Sequence, residues 1–400
     1  MNRRVFLKSS AVAMFGVGAA PAWLARAAAA TEGNGRGKKV LVAIFQRGAV
    51  DGLNVVVPFA DKHYYDLRPS IAVQQSSVID LDGFFGLHPS LSPLKPVFDA
   101  KHLAIVEAVG SPDATRSHFD AQDYMESGTP GLKATRDGWL NRALPLARNA
   151  PSPVRAVSIG TGLPRSLRGS NAAVAVNNLN EFQIRDATSS NTFESMYAGT
   201  VDKILNGTGR ETFDAVRILQ SIQKQPYTPA AGARYPNGRF GQSMQQIARL
   251  VKADVGLEVA FADVGGWDTH VNEVGQLNNL LTDFGASLAA FYQDLGDRMQ
   301  DVVVVTMSEF GRTARENGTR GTDHGHANVM FVMGGNVQGG KVYGDWPGLA
   351  NEQLYEGRDL ALTTDFRDVL GELASKHLGT REIKKIFPGY TQPRFRNLIA

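Results

Sequence analysis

The stretch from 301 to 335, DVVVVTMSEFGRTARENGTRGTDHGHANVMFVMGG, constrains the fold of this chain more than any other. It holds two apolar runs, 302–307 and 329–333, too short for helices, rich in β-branched residues and bounded by Gly and polar clusters. Both read as buried parallel strands. Between them lies a polar segment carrying Glu309, Asp323, His324 and His326. In an open α/β sheet the ligand crevice lies outside the carboxyl ends of the strands, so Ser308-Glu309 leaves one strand at the right address for chemistry. The Asp323-His324-Gly325-His326 cluster then enters the next strand, close to the sheet.

The same pattern recurs along the chain. Residues 39–45 (KVLVAIF) read as a first buried strand, ending in a Gly-flanked turn that places Asp51 just beyond its carboxyl end. Further strands are expected at 103–109, 154–159, 172–176 and 258–264, the last followed by Gly266-Trp267-Asp268-Thr269-His270. Helices are expected at 91–98, 116–126, 240–255, 274–299 and 364–374, with a polar helical stretch at 177–225. Thr115 reads as the N-cap of the 116–126 helix. Ser117 and His118 then sit in its first turn, where free N–H groups and the helix dipole favour an anion. A chain of 400 residues, 43% hydrophobic and 20% charged, suits one large α/β domain or two smaller ones.

The N-terminus specifies a compartment. Asn2-Arg3-Arg4-Val5-Phe6-Leu7-Lys8 precedes a weakly apolar stretch, 11–24, and a run of alanines to Ala30. Charge, apolar run and small-residue end in that order read as a twin-arginine signal peptide over 1–30, with the twin-arginine translocase as export partner and a periplasmic destination, not a stable membrane anchor. The segment carries four cations and no acid, so its removal turns a formal charge of +3 into −1. The basic balance therefore belongs to the signal, and no basic run or aromatic stripe remains to suggest nucleic acid. Cysteine is absent, which excludes disulfides and thiolate ligands.

The residues at presumed strand ends are Asp51, Asp268 with His270, Ser308 with Glu309, and Asp323, His324 and His326, with Ser117 and His118 at a helix start. Carboxylate oxygen and imidazole nitrogen suit one or two divalent ions, Zn, Mn, Mg or Ca. A bound cation would lower the pKa of a coordinated hydroxyl or water and neutralise charge on a phosphate or sulfate. A Ser beside such a site is a nucleophile or an anion contact.

Taken together, Arg47-Gly48 with Asp51-Gly52, Ser117-His118-Phe119-Asp120-Ala121-Gln122-Asp123 with Glu126-Ser127-Gly128, Gly266 to His270, Ser308-Glu309-Phe310-Gly311-Arg312-Thr313 and Asp323 to Asn328 resemble the exported domain-of-unknown-function 1501 family over essentially the whole mature sequence. That family is similar in turn to the alkaline phosphatase and sulfatase superfamily. The resemblance implies one domain over 31–400, a doubly wound, mostly parallel α/β sheet with helices on both faces, and a metal site at the strand ends. It implies metal ligation by Asp51, by Asp268 and His270, and by His324 or His326. It also implies a nucleophile at Ser117, with Thr115 as the second candidate, acting on an anionic small-molecule ester, and Arg116 or His118 contacting the anion. Phe310 departs from the pattern, standing where many superfamily members have a metal-binding His. Either Asp323-His324 supplies the missing pair or the second metal is absent, and the competing expectation is a non-catalytic binding or assembly protein with a degenerate site.

Overall fold

The computed structural model describes residues 39–133, 135–145, 151–179 and 203–400, the side chains of 203–212 excepted. The signal at 1–30 and part of the polar stretch at 177–225 lie outside the described residues. A nine-stranded sheet organises the chain. Its strands in chain order are β1 (Val40–Gln46), β2 (Leu103–Gly110), β3 (Ala156–Ile159), β4 (Val174–Val176), β5 (Val259–Val264), β6 (Val302–Met307), β7 (Asn328–Gly334), β8 (Lys341–Tyr343) and β9 (Thr364–Asp365). The spatial order is β8-β2-β7-β6-β1-β5-β3-β4, with β9 also paired to β2.

Alternation along each strand divides the core between two faces, as a pleated strand buried on both sides requires. Val40, Val42 and Ile44 of β1 pack on one side with Met244, Ile247, Leu281 and Phe284 from helices α4 (Arg239–Ala253) and α5 (Glu273–Leu295). Leu41, Ala43 and Phe45 face the other side, against Met125 of α1 (His118–Ser127), Trp139 of α2 (Trp139–Ala143) and Phe366 and Leu370 of α6 (Phe366–Glu372). The described part of 177–225 contains α3 (Lys203–Gln223), whose Ile218 and Leu219 join the first face.

The sheet is mixed and mostly parallel. β1 runs parallel to β5 and β6, β3 to β4 and β5, and β8 and β9 to β2. The exception is β7, antiparallel to both β6 and β2. This corrects the expectation of two parallel strands around the Asp323-His324 segment. An apolar run carries no record of direction, and the reversal has a spatial consequence. A parallel β7 would start at the far edge of the sheet from the end of β6. Reversed, it starts at the same rim, so Glu309 leaving β6 and His324 approaching β7 come together.

Two glycines sit where no side chain would fit, one at the rim and one at the far end of α1. Gly48, at φ +119°, leaves β1 so close to the β5 loop that an added Cβ would lie 2.6 Å from the Asp268 nitrogen. Gly128, at φ +68°, ends α1 with its N–H on the Tyr124 carbonyl, and a Cβ there would strike Phe387 at 2.6 Å.

Candidate metal centre

Helix α1 begins two residues later than the sequence suggests. Ser117 is its N-cap, in extended conformation and making no side-chain cap hydrogen bond, while the Thr115 hydroxyl accepts from the Ser117 N–H at 3.3 Å. Thr115 is thus upstream of the helix rather than its cap. His118 enters the first turn and points to the rim, where the loops after β5 and before β7 also arrive.

Three imidazoles and one carboxylate meet there. His324 Nε2 lies 3.0 Å from His118 Nε2, 3.0 Å from His270 Nε2 and 3.2 Å from Asp268 Oδ1. Asp268 Oδ1 is 3.0 Å from His270 Nε2, and Asp268 Oδ2 is 3.5 Å from His118 Nε2. Among the described residues, His118, Asp268 and His324 form a group whose ligand atoms all fall within 4.8 Å of one another. Tetrahedral coordination at about 2.1 Å sets neighbouring ligand atoms about 3.4 Å apart, close to these separations.

The outer ring nitrogens decide what the inner ones are. His118 Nδ1 donates to Glu309 Oε1 at 2.8 Å, His270 Nδ1 to Asp323 Oδ1 at 3.1 Å and His324 Nδ1 to the Arg116 carbonyl at 2.9 Å. Each acceptor is an oxygen, so each Nδ1 carries a hydrogen and each Nε2 faces inward. Three imidazole nitrogens gathered around a carboxylate make a donor set that suits a divalent cation. Hydrogen bonds that fix the outer nitrogen are the usual support of metal-ligating histidine.

The charged neighbours act differently on each member of the cluster. Burial pushes the Glu309 carboxyl up, but hydrogen bonds from His118, Gln122 and the Gly48 N–H outweigh it and hold the group below the usual range. The Glu309 hydrogen bond raises His118, whereas burial lowers His324. For Asp268 burial works upward and the Arg312 guanidinium, 2.7 Å from Oδ1, wins in the other direction. Phe310 is buried beneath the cluster, its ring 4.9 Å from that of His118 and 5.1 Å from that of His324.

The expected residues are thus sorted into three groups. Asp268, His270 and His324 meet at the centre, joined by His118, expected as a catalytic residue rather than a ligand. Glu309 and Asp323, expected as ligands, stand behind His118 and His270 and orient them. Asp51 and His326 are elsewhere. Both oxygens of Asp51 are taken by the buried Arg68 guanidinium, at 2.5 and 2.8 Å, which overrides burial and holds that carboxyl low. His326 is buried, its Nε2 on the Ser111 carbonyl at 3.0 Å and its ring 4.6 Å from that of Tyr355. Two residues apart across Gly325, the histidines 324 and 326 have different surroundings. Arg312, Arg68 and Gln122 carry no sequence signal of their own beyond the motifs they interrupt.

Arg116, expected at an anion, is held by Asp359 and Glu356. No described helix is long and apolar enough to cross a membrane. Among solved structures, the chain is similar to the PsFucS1 sulfatase from Pseudoalteromonas sp. (12% identity, 95% of this chain and 77% of that chain covered, TM-score 0.39). It is also similar to the C-terminal periplasmic domain of EcEptC from Escherichia coli, in complex with Zn (7%, 75% and 73%, 0.35), and to alkaline phosphatase from the Antarctic bacterium TAB5 (11%, 75% and 93%, 0.31). No curated protein matches the sequence. The model of the family described as "Protein of unknown function (DUF1501)" matches residues 38–387, and the chain belongs to that family.

Proposed function

We propose that this chain is an exported, metal-dependent hydrolase or transferase of phosphate or sulfate esters. The observation that carries the reading is the convergence of three inward-facing Nε2 atoms and the Asp268 carboxylate on an open rim. A divalent cation there, Zn being best suited to three imidazoles and a carboxylate, lowers the pKa of a coordinated hydroxyl or water and neutralises charge on the ester.

The chain's own residues supply the rest. His118, His270, His324 and Asp268 hold the ion, and Glu309, Asp323 and Arg312 orient three of these four. Ser117 is the attacking hydroxyl. It adjoins His118, and as an N-cap serine without its customary cap bond its Oγ is spare. Its oxygen bonds to the phosphorus or sulfur, the ester oxygen leaves with the electron pair of the broken bond and takes up a proton, and water then releases the acid and restores Ser117. The first turn of α1 has N–H groups without intrahelical acceptors, which favour the anion at the same end. Export by the twin-arginine translocase follows from Arg3-Arg4 and the segment after them.

One observation favours a second reading, a binding or assembly protein with a structural ion: His270 Nε2 lies 3.0 Å from both His324 Nε2 and Asp268 Oδ1, and as a fourth ligand beside His118, Asp268 and His324 it would leave a tetrahedral ion no open position, as in structural zinc sites. Elemental analysis of the purified protein and a panel of aryl phosphates, phosphodiesters and sulfates separate the two. The enzyme reading expects bound metal and turnover that falls about 100-fold or more in Ser117→Ala. Metal without turnover of any ester selects the binding reading, and metal-free protein that gains no thermal stability with zinc ends both.

A further inference from the structure

Helix α1 carries His118, Gln122 and Glu126 at intervals of four, a spacing that places all three on one face. The turn after β1 is docked on that face. Arg47 Nη1 donates to Gln122 Oε1 at 3.0 Å and Nη2 to Glu126 Oε1 at 3.0 Å, while Nε reaches Asp263 Oδ2 of β5 at 3.0 Å. The guanidinium also lies 4.4 Å over the centre of the Phe45 ring. A planar fork tied to a helix and a strand in this way cannot turn without losing a bond. Glu126 cannot follow it, since its other oxygen accepts from the Ser166 N–H at 2.8 Å and hydroxyl at 3.2 Å. The clamp decides which way round the Gln122 amide stands. Arginine donates and never accepts, so the amide atom facing Arg47 is the oxygen. The amide nitrogen is thereby turned to Glu309 Oε1, 2.8 Å away, the same oxygen that accepts from His118 Nδ1 at 2.8 Å and from the Gly48 N–H at 2.9 Å. Reversed, the amide would set its oxygen against the carboxylate and its nitrogen against the guanidinium, two repulsive contacts in place of two hydrogen bonds.

We propose that Arg47 is a positioning residue of the candidate metal centre: by fixing the Gln122 amide it holds the Glu309 carboxylate against His118, and so sets the direction in which His118 Nε2 faces His324 and Asp268. This rests on the metal-centred reading above. The bonded partners of the Arg47 side chain are Asp263, Gln122 and Glu126, none of them a proposed ligand, so its influence passes through hydrogen bonds rather than through contact with the ion or the ester. Two of those partners are carboxylates, which match its charge locally.

Zinc affinity, measured by competition titration through a double-mutant cycle, tests this without needing turnover. Arg47→Lys keeps the charge beside Asp263 and Glu126 but replaces the fork with a single ammonium, which cannot keep all three bonds. It is expected to weaken zinc binding about fivefold, less than the about 10- to 100-fold typical of a residue bonded directly to a ligand. Gln122→Met removes the amide, keeps the length of the side chain and is expected to weaken binding about tenfold. With Gln122→Met already present, Arg47→Lys should add less than about 1.5-fold, because the amide route from Arg47 to Glu309 has been cut. Cobalt-loaded Arg47→Lys and Gln122→Met should share one altered visible ligand-field spectrum, the sign of a turned imidazole. The same loss of affinity from Arg47→Lys in both backgrounds overturns the proposal, since Arg47 would then act through the fold at large. Natural zinc affinity in Gln122→Met overturns it as well, and that variant leaves Arg47 on Asp263 and Glu126 should Arg47→Lys not fold. If the natural protein takes up no zinc, the metal-centred reading fails first and the role of Arg47 with it.

Discussion

Two acidic clusters lie in adjacent parts of the fold and use their charges in opposite ways. In one, Asp51, Arg68 and Glu273 are buried, with Asp51 clamped by the guanidinium and Glu273 held by Asn54, Thr269 and Thr322. Burial and the neighbouring Asp51 push Glu273 well above the usual carboxylate range, so the Arg68 cation is matched chiefly to Asp51. In the other, Asp268, His118, His270 and His324 are partly open and their donor atoms face one another. The first is neutralised from within, by a cation that belongs to the chain. In the second, the donor atoms face one another around the opening that the proposed ion would occupy.

The largest break in this comparison should come from Arg68→Ala. It leaves Asp51 buried without its partner and is expected to cost about 3–5 kcal/mol in urea unfolding. His324→Ala should abolish metal binding yet leave the metal-free protein's unfolding midpoint nearly unchanged. Equal losses of stability in the two variants would erase the distinction.

Acid offers the next lever. His88, buried near Asp51, is lowered to about 4 by burial, which outweighs the pull of that carboxylate. Its folded value lies below its unfolded value of 6.5, so the unfolded chain binds the proton first. Stability is full above pH 6.5 and is lost as pH falls towards 4, by about 3 kcal/mol for this residue. His88→Asn, which keeps an acceptor for the Ser90 N–H, should flatten that part of a urea series between pH 7 and 4.

Zinc at 100 times its dissociation constant should stabilise the natural protein by about 2.7 kcal/mol in a thermal melt, and His324→Ala by nothing. Glu309→Gln removes the charged acceptor behind His118 and should weaken zinc binding by about 10- to 100-fold in a competition titration, without emptying the site. The smallest effect is expected from Phe119→Ser on the metal-free protein, within about 0.5 kcal/mol of the natural chain, because that residue is 91% exposed.

Much of this was legible in the residues. The apolar runs at 40–46, 259–264 and 302–307 announce buried strands because both faces are covered, and the elements that follow them put Asp268 and His270 at the rim. What was not legible depends on contacts across long separations. The fate of Asp51 was decided by Arg68, 17 residues away in a helix-to-loop junction with no motif of its own. His118, expected beside Ser117 as a contact for the anion, turns its ring to His324 instead. The choice between His324 and His326 turns on the direction of β7, which hydrophobicity does not encode. Glu309, expected among the metal ligands, accepts from the His118 ring, a partner 191 residues away that no local pattern announces.

The outer hydrogen bonds to His118, His270 and His324 have a further implication for how the protein would be loaded. With the rings held by Glu309, Asp323 and a backbone carbonyl, the proposed ligands would need little reorientation to take up an ion. Zinc, manganese or cobalt could exchange there without moving the chain, and the ion found in the cell would then reflect local supply as much as the shape of the protein.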